Sequence, residues 1–338
     1  MSQLFLGVDA GNSKTIAVVG DEHGRLLGWG RSGLGDIYGV AEPSAAVDEV
    51  ALAIGRAREA SGLDPAGVGA FDAAAFRLAG VDWPDDEAYW MSAIRDRFGG
   101  PQSVSVKNDG FALLRCGDPR GVGVALSVGT GAAMAGRGPG GSEFVVSWWF
   151  QHYLGGAGLG HEAMRAVMLA ELGIGPATLL SVRLCEFYGV GTVEGLLQAF
   201  TKRGDSLGHA DKARAARTVL AAATEGDEVA LGLVLTQAEN FAKYAVVTAS
   251  RVGFDVEAEV IPIVLGGGVL SDPASILRVH LVESLASALP RATVTDSRNA
   301  SPVLGALLDA MAEGGVDITP ELQDAVLRQA PPAGLLET

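Results

Sequence analysis

The pattern that opens this chain occurs twice, and that recurrence limits the folds open to it more than any other feature. Leu4 to Val8 is a short apolar run ending in Asp9-Ala-Gly11-Asn-Ser-Lys-Thr15; Ile16 to Val19 then leads through the turn-rich Gly20 to Gly24 into Arg25 to Trp29. The spacing predicts strand, glycine turn, strand, turn, strand. Far downstream, Val122 to Val128 ends in Gly129-Thr-Gly131, Ala132 to Ala135 follows, and the turn Arg137 to Gly141 precedes Glu143 to Trp149. Gly129 follows Gly11 by 118 residues and Gly141 follows Gly24 by 117, which points to an ancient duplication. The period is far too long for a solenoid repeat.

Each trio is followed by mixed elements. After the first, we expect a strand over Ala70 to Leu78, a helix over Asp86 to Phe98 and a strand over Ser103 to Val106; Gly110 to Cys116 reads as helical. After the second come several helical stretches, among them Asp227 to Val252, then a strand over Val260 to Leu265, a helix from Pro273, a strand over Ala292 to Thr295 and a helix from Pro302. An α/β fold of two similar lobes facing across a cleft follows. The lobes are expected at 1–112 and 113–300, with helix 301–314 open to joining the first, and a terminal helix and tail over 315–338. No Pro-, Ser- or charge-rich linker separates them, so they should be tightly joined, with a hinge near Asn108 to Gly123.

Composition removes several function classes. Hydrophobic residues make up 48% and charged residues 19% of 338, so most of the chain should fold. A net charge of −15 disfavours phosphate backbones and anionic lipid surfaces, so nucleic-acid and membrane partners are not expected. The N-terminus lacks a basic flank and a cleavage site, and no apolar run approaches the ~20 residues of a spanning helix; a cytoplasmic protein is expected. Cys116 and Cys185 are far apart and form no metal-binding spacing.

Three glycine turns stand at strand ends: Gly11, Asn12, Ser13, Lys14 and Thr15; Gly129, Thr130 and Gly131; Gly266, Gly267 and Gly268. Each alone reads equally as a tight turn, but glycine lets successive N–H groups approach a phosphate, and three such loops could surround one nucleotide. Other phosphate motifs fail. Ser13 precedes Lys14 where a Walker A loop needs glycine, and no strand leads into Gly156-Ala-Gly158. Arg165 occupies the second histidine position of the zinc-protease motif suggested by His161-Glu162.

Two carboxylates stand beside these turns. Asp9 either organises Mg²⁺ or caps its own turn; Asp109 either accepts a proton from an attacking hydroxyl or caps the helical run after it.

Assembled, these motifs resemble the BadF/BadG/BcrA/BcrD-type ATPase and N-acetylglucosamine kinase family of the actin, Hsp70 and sugar-kinase superfamily. Leu6 to Thr15 is similar to the first phosphate motif and Ser127 to Gly131 to the second. Val264 to Val269 resembles the adenosine motif, Leu78 to Asp82 the strand-end turn, Asn108-Asp109 the catalytic segment and Ser301 to Ala306 the closing helix. The resemblance implies a duplicated actin-like (ribonuclease H-like) fold with ATP and Mg²⁺ between two lobes, Asp9 as the magnesium residue and Asp109 as the base. It implies transfer to a hydroxyl of a small sugar or amino sugar, with N-acetylglucosamine first, and a homodimer as in many relatives.

The acceptor side departs from the pattern. Relatives carry an Asn where this chain has Gly33-Leu-Gly35-Asp36, and an acidic pair where it has Gly155-Gly-Ala-Gly158. Asp36, Gly80, Asn108, Gln151 and His152 are the candidate acceptor residues. If Glu143 to Trp149 is a strand, Trp148 and Trp149 point to opposite faces. Two other readings remain: a nucleotide-binding regulator without transfer, and an activator ATPase, which would need cluster cysteines that Cys116 and Cys185 do not match.

Overall fold

The computed structural model describes residues 3–63, 71–98, 102–297, 301–332 and 335. The first sheet comprises β1 (Leu4–Ala10), β2 (Thr15–Asp21), β3 (Leu26–Ser32), β4 (Ala73–Leu78) and β5 (Ser103–Asn108), ordered β3-β2-β1-β4-β5. The second comprises β6 (Gly123–Val128), β7 (Ala132–Arg137), β8 (Glu143–Val145), β9 (Ile261–Gly266) and β10 (Ala292–Asp296), ordered β8-β7-β6-β9-β10. In both sheets the first three strands form an antiparallel meander and the last two join in parallel. The duplication read from the glycine turns is therefore a duplication of topology.

Helices α1 (Pro43–Ala60) and α2 (Pro84–Phe98) cover the outer face of the first sheet. A 3₁₀ turn over Asp109–Leu113 and the short α3 (Leu114–Gly117) then lead into the second lobe. There α4 (Gly155–Glu171), α5 (Leu180–Tyr188), α6 (Val193–Thr201), α7 (His209–Arg214), α8 (Ala216–Thr224), α9 (Glu228–Arg251) and α10 (Ile276–Ala288) build the outer layer. Helix α11 (Pro302–Glu313) returns to pack on β1 and β4, and α12 (Pro320–Leu327) follows. No helix among the described residues is long and apolar enough to cross a membrane.

The central strands β1, β2, β4, β6 and β9 are buried on both faces, which is why they read as nearly continuous apolar runs. Along β1, Leu6, Val8 and Ala10 enter the core under α1 and α2, while Phe5 enters a central core shared with α11. Along β6, Ala125 faces that central core while Val124, Leu126 and Val128 face the outer core under α9 and α10. Helix α11 and the 3₁₀ turn thus lie between the two sheets. They approach closely: a Cβ on Gly305 would fall 1.8 Å from the Ala112 carbonyl oxygen, so only glycine permits the contact.

A buried ion cluster fixes this junction. Asp309, among apolar neighbours in α11, accepts from Arg77 of β4 (Nη2–Oδ2 2.7 Å), Arg115 of α3 (Nε–Oδ1 2.6 Å) and Arg137 of β7 (Nη1–Oδ1 3.2 Å). Arg77 is fully buried, and its Nη2 also donates to Glu313, 3.1 Å away. Burial alone would raise the Asp309 pKa, but the guanidinium groups outweigh it and hold the carboxyl well below the ordinary carboxylate range.

Three expected elements differ. The strand from Glu143 stops at Val145 because the backbone turns at Ser147, and Ser147–Trp149 is a 3₁₀ turn rather than alternating strand. The helix expected from Pro273 begins at Ile276, and that expected over Gly110 to Cys116 is split between the 3₁₀ turn and α3.

Replacing Asp309 by Ala should lower unfolding stability by about 3–5 kcal/mol, since guanidinium groups would stay buried without a counter-charge. Denaturant unfolding checks this; a loss within 0.5 kcal/mol of zero, typical of about an average surface change, would contradict it. Because the Asp309 pKa is depressed, its contribution should be complete above the unfolded value of 3.8 and lost as pH falls below it.

Candidate active site

Asp9 lies near the end of β1, in register with Ile16 of β2 and Arg77 of β4. The following turn closes on itself through Gly11 N–H to the Lys14 carbonyl (2.9 Å), so the Asp9 carboxylate is not its cap. Gly35 N–H donates to Gly11 and Ala79 N–H to Ala10, which draws the chain after β3 and β4 onto the same strand end. Asn12 and Ser13 are exposed at the tip. The Thr15 hydroxyl is buried and donates to the Gly33 carbonyl (2.9 Å), so it braces the hairpin from inside. Burial pushes the Asp9 carboxyl up to about 7, with Lys14 opposing; burial, then Arg31, pulls the Lys14 amine down.

The other two turns lie side by side in the second lobe. Ser127 of β6 is in register with Gly266 of β9, and Val269 N–H donates to the Val128 carbonyl (3.0 Å). Gly129 N–H bonds the Gly131 carbonyl (2.9 Å), and a Cβ on Gly129, Gly131 or Gly268 would meet nothing within 4 Å, so these backbones face open space. The start of α4 supports the turn from behind, through Gly156 N–H to Gly129 (2.9 Å) and Ala157 N–H to Thr130 (2.8 Å). Gly155 has φ +80°, and a Cβ there would lie 2.4 Å from the Gly131 carbonyl. The glycines that stand where relatives carry an acidic pair thus brace the second turn.

Asp109 occupies the junction between the lobes, immediately after β5. The cap of its 3₁₀ turn is Asn108, whose Oδ1 accepts from Gly110 N–H (2.9 Å); the same N–H also acts on the Asp109 carboxylate, lowering its pKa by less than burial raises it. Burial pushes the Asp109 carboxyl up to about 7, reinforced by the charges of Asp9, Asp82 and Asp36. Those influences show that the two predicted carboxylates lie within electrostatic reach of each other.

The end of the cleft around Asp36 and Asp82 is built from both lobes. Asp36 is buried, and its Oδ1 accepts from Tyr38 N–H (2.9 Å); a Cβ on Gly80 would come within 2.4 Å of that oxygen. Asp82 Oδ1 accepts from Asn108 Nδ2 (2.8 Å) and, across the cleft, from the Ser147 hydroxyl (2.5 Å); the Trp148 side chain also bonds it. Burial raises the Asp82 carboxyl. Ser147 holds this contact at φ +37°, a left-handed conformation that costs a non-glycine residue on the order of 1–3 kcal/mol. Tyr38 donates to Asp86 (3.0 Å) and meets the Trp148 ring edge-on at 6.1 Å.

Gln151 and His152 are placed differently. Gln151 N–H donates to the Tyr244 hydroxyl of α9 (2.8 Å), and His152 Nδ1 lies 3.0 Å from the same oxygen. Trp148 and Trp149 are both exposed, on the 3₁₀ turn. The sequence reading missed Ser147, which no local signal marks. It also missed the Arg77–Asp309 pair, although a lone charge inside each apolar run was available as a signal.

The carboxylates suit a hard cation. Asp9 and Asp109 are half-buried carboxylates whose charged forms lack a full counter-charge, and Mg²⁺ takes oxygen ligands through one or two carboxylates plus phosphate. Among the described residues no three His, Cys, Asp or Glu side chains form a cage, which fits an ion brought in with a triphosphate. Since both pKa values are raised on folding, the ligand-free protein should lose stability as pH rises from about 4 toward 7. Melting midpoints between about pH 5 and about pH 8 should fall for the wild type and fall less for Asp109→Asn; equal slopes would contradict the placement.

Comparison with known proteins agrees with this geometry. The family described as the BadF/BadG/BcrA/BcrD ATPase family matches residues 6–310. An N-acetyl-D-glucosamine kinase of Dictyostelium discoideum is 26% identical over 319 residues, covering 91% of this chain and 98% of that protein. A Chromobacterium violaceum chain provisionally named N-acetylglucosamine kinase has a similar structure at TM-score 0.67 and 23% identity, with 90% of this chain and 98% of the other covered. A ROK family glucokinase from Streptomyces griseus, solved with glucose and AMPPNP, follows at TM-score 0.55 and 20% identity, covering 91% and 98%. These structures share the two-lobed fold.

Proposed function

The chain belongs to the BadF/BadG/BcrA/BcrD ATPase family, and we propose that within it this protein is an ATP-dependent sugar kinase. The carrying observation is a half-buried carboxylate, Asp109, set at the junction of two lobes near a second, Asp9, and three glycine turns. The names of its relatives support the same reading.

In this proposal the Gly11–Lys14 and Gly129–Gly131 backbones receive the phosphates, with Lys14 adding charge, and Gly266–Gly268 borders the adenosine. Asp9 would hold Mg²⁺, which when bound neutralises phosphate charge. Asp109 accepts the proton of the acceptor hydroxyl as that oxygen bonds to the γ-phosphorus; the bond to the β–γ bridging oxygen breaks and ADP leaves. A carboxyl near 7 suits this exchange at neutral pH. Asp36, Gly80 and Asn108 lie where the acceptor would be oriented, and their acidic surroundings favour a donor-rich amino sugar or N-acetylamino sugar. Gln151 and His152, the other candidate acceptor residues, are held on the Tyr244 hydroxyl of α9. The Ser147–Asp82 bond would hold the lobes together and exclude water.

With Mg-ATP and a panel of hexoses, amino sugars and N-acetylhexosamines, ADP release should depend on an amino or N-acetylamino sugar. Release with no sugar on the panel would reject the proposal. Asp109→Asn should reduce kcat by about 10²- to 10⁴-fold while ATP affinity changes little. In the wild type, kcat/KM should fall as pH drops below about 7 because the base becomes protonated; a flat profile would remove Asp109 from that role.

A further inference from the structure

A cavity of about 270 Å³ lies between α4 and α9, with His152 and Tyr153 also on its wall. Its walls are of two kinds. Leu154, Leu159 and Leu233 are apolar, whereas Thr236, Gln237 and Asn240 place a hydroxyl and two amides on one face of α9. Gln237 is 4% exposed, and its Oε1 has no hydrogen-bond partner, an unmet acceptor of the kind that native interiors rarely keep. The charged pair on this wall is satisfied internally, Arg165 Nε to Glu162 Oε2 at 2.8 Å.

We propose that this cavity is a second small-molecule site for a neutral, hydroxyl-rich ligand of about monosaccharide size, and that its occupancy is transmitted to the second glycine turn. The class follows from the walls. An unmet amide oxygen calls for an O–H or N–H donor, the Arg165–Glu162 pair carries no net charge to favour an ion, and the leucines suit the C–H faces of a ring. The volume falls just below the roughly 300–1,000 Å³ of sites for drug-sized ligands, which favours a smaller occupant.

The route to the turn is short. Gln237 Nε2 donates to the Gly155 carbonyl (3.4 Å), a long bond that a ligand on Oε1 would reorient. Gly155 presses on Gly131, while Gly156 and Ala157 donate to Gly129 and Thr130. The transmission rests on the kinase reading, since it presumes that the turn holds a nucleotide; binding in the cavity does not.

The test uses full-length protein labelled with ¹⁵N-glutamine, its Gln237 side-chain amide assigned by comparison with Gln237→Leu. Glucose and N-acetylglucosamine are the probes, titrated into the millimolar range. At least one should shift that amide saturably. The titration response should vanish in Leu233→Trp and in Thr236→Leu, two independent substitutions that fill the cavity, each verified as folded by circular dichroism.

In the wild type, saturating probe should change AMPPNP affinity by about fivefold or more, and the filled variants should lose that difference. No saturable shift with either probe, or a shift that survives both filling substitutions, overturns the site. A saturable shift with unchanged AMPPNP affinity overturns the transmission. If no sugar is phosphorylated but the cavity-dependent shift persists, the kinase reading fails and the second site stands.

Discussion

The Asp309 carboxylate, held among Arg77, Arg115 and Arg137, is the constraint on which the rest of the molecule depends. It joins a strand of the first sheet, a strand of the second, the short helix that links them and the helix that returns from the end of the chain. Lobes tied in this way can adjust around the junction but cannot drift apart. The 3₁₀ turn that carries Asp109 lies against the same helix, with Gly305 on the Ala112 carbonyl. The position of the proposed base is therefore inherited from a structural ion cluster rather than from its own contacts.

Three acids differ in what surrounds them. Burial works against the charge of Asp309, Asp9 and Asp109 alike. Guanidinium groups reverse its effect only at Asp309, while Asp9 has one nearby amine and Asp109 mainly other carboxylates. A strongly depressed carboxyl is committed to structure at every physiological pH. Carboxyls raised toward neutrality keep unmet electrostatic demand, which a cation, a sugar hydroxyl or a proton can satisfy. The strained Ser147 belongs with the second group, because its left-handed backbone is maintained where its hydroxyl bridges the lobes at Asp82.

The parts legible in the sequence were those with a local, periodic cause. Apolar runs ending in glycine turns repeat because the sheets repeat, and the 118-residue offset anticipated two sheets of identical strand order. Asp109 was legible as a cap or a base; only the coordinates show that Asn108 Oδ1 accepts the capping bond from Gly110 N–H. What could not be read depends on pairing across the chain. Arg77 and Asp309 are 232 residues apart, and Ser147 reaches Asp82 over 65, so neither contact has a local pattern. The same long-range bond ended a run that alternation alone extended as strand to Trp149. Gln151 and His152 follow that bend to α9.

The most direct measurement is a crystal structure with Mg²⁺ and AMPPNP. The account predicts the triphosphate between the Gly11–Lys14 and Gly129–Gly131 backbones, its terminal phosphoryl group facing Asp109 and its metal on the Asp9 side. A triphosphate bound away from both turns, or a terminal phosphoryl group turned from Asp109 in a protein that nonetheless phosphorylates sugar, would contradict it.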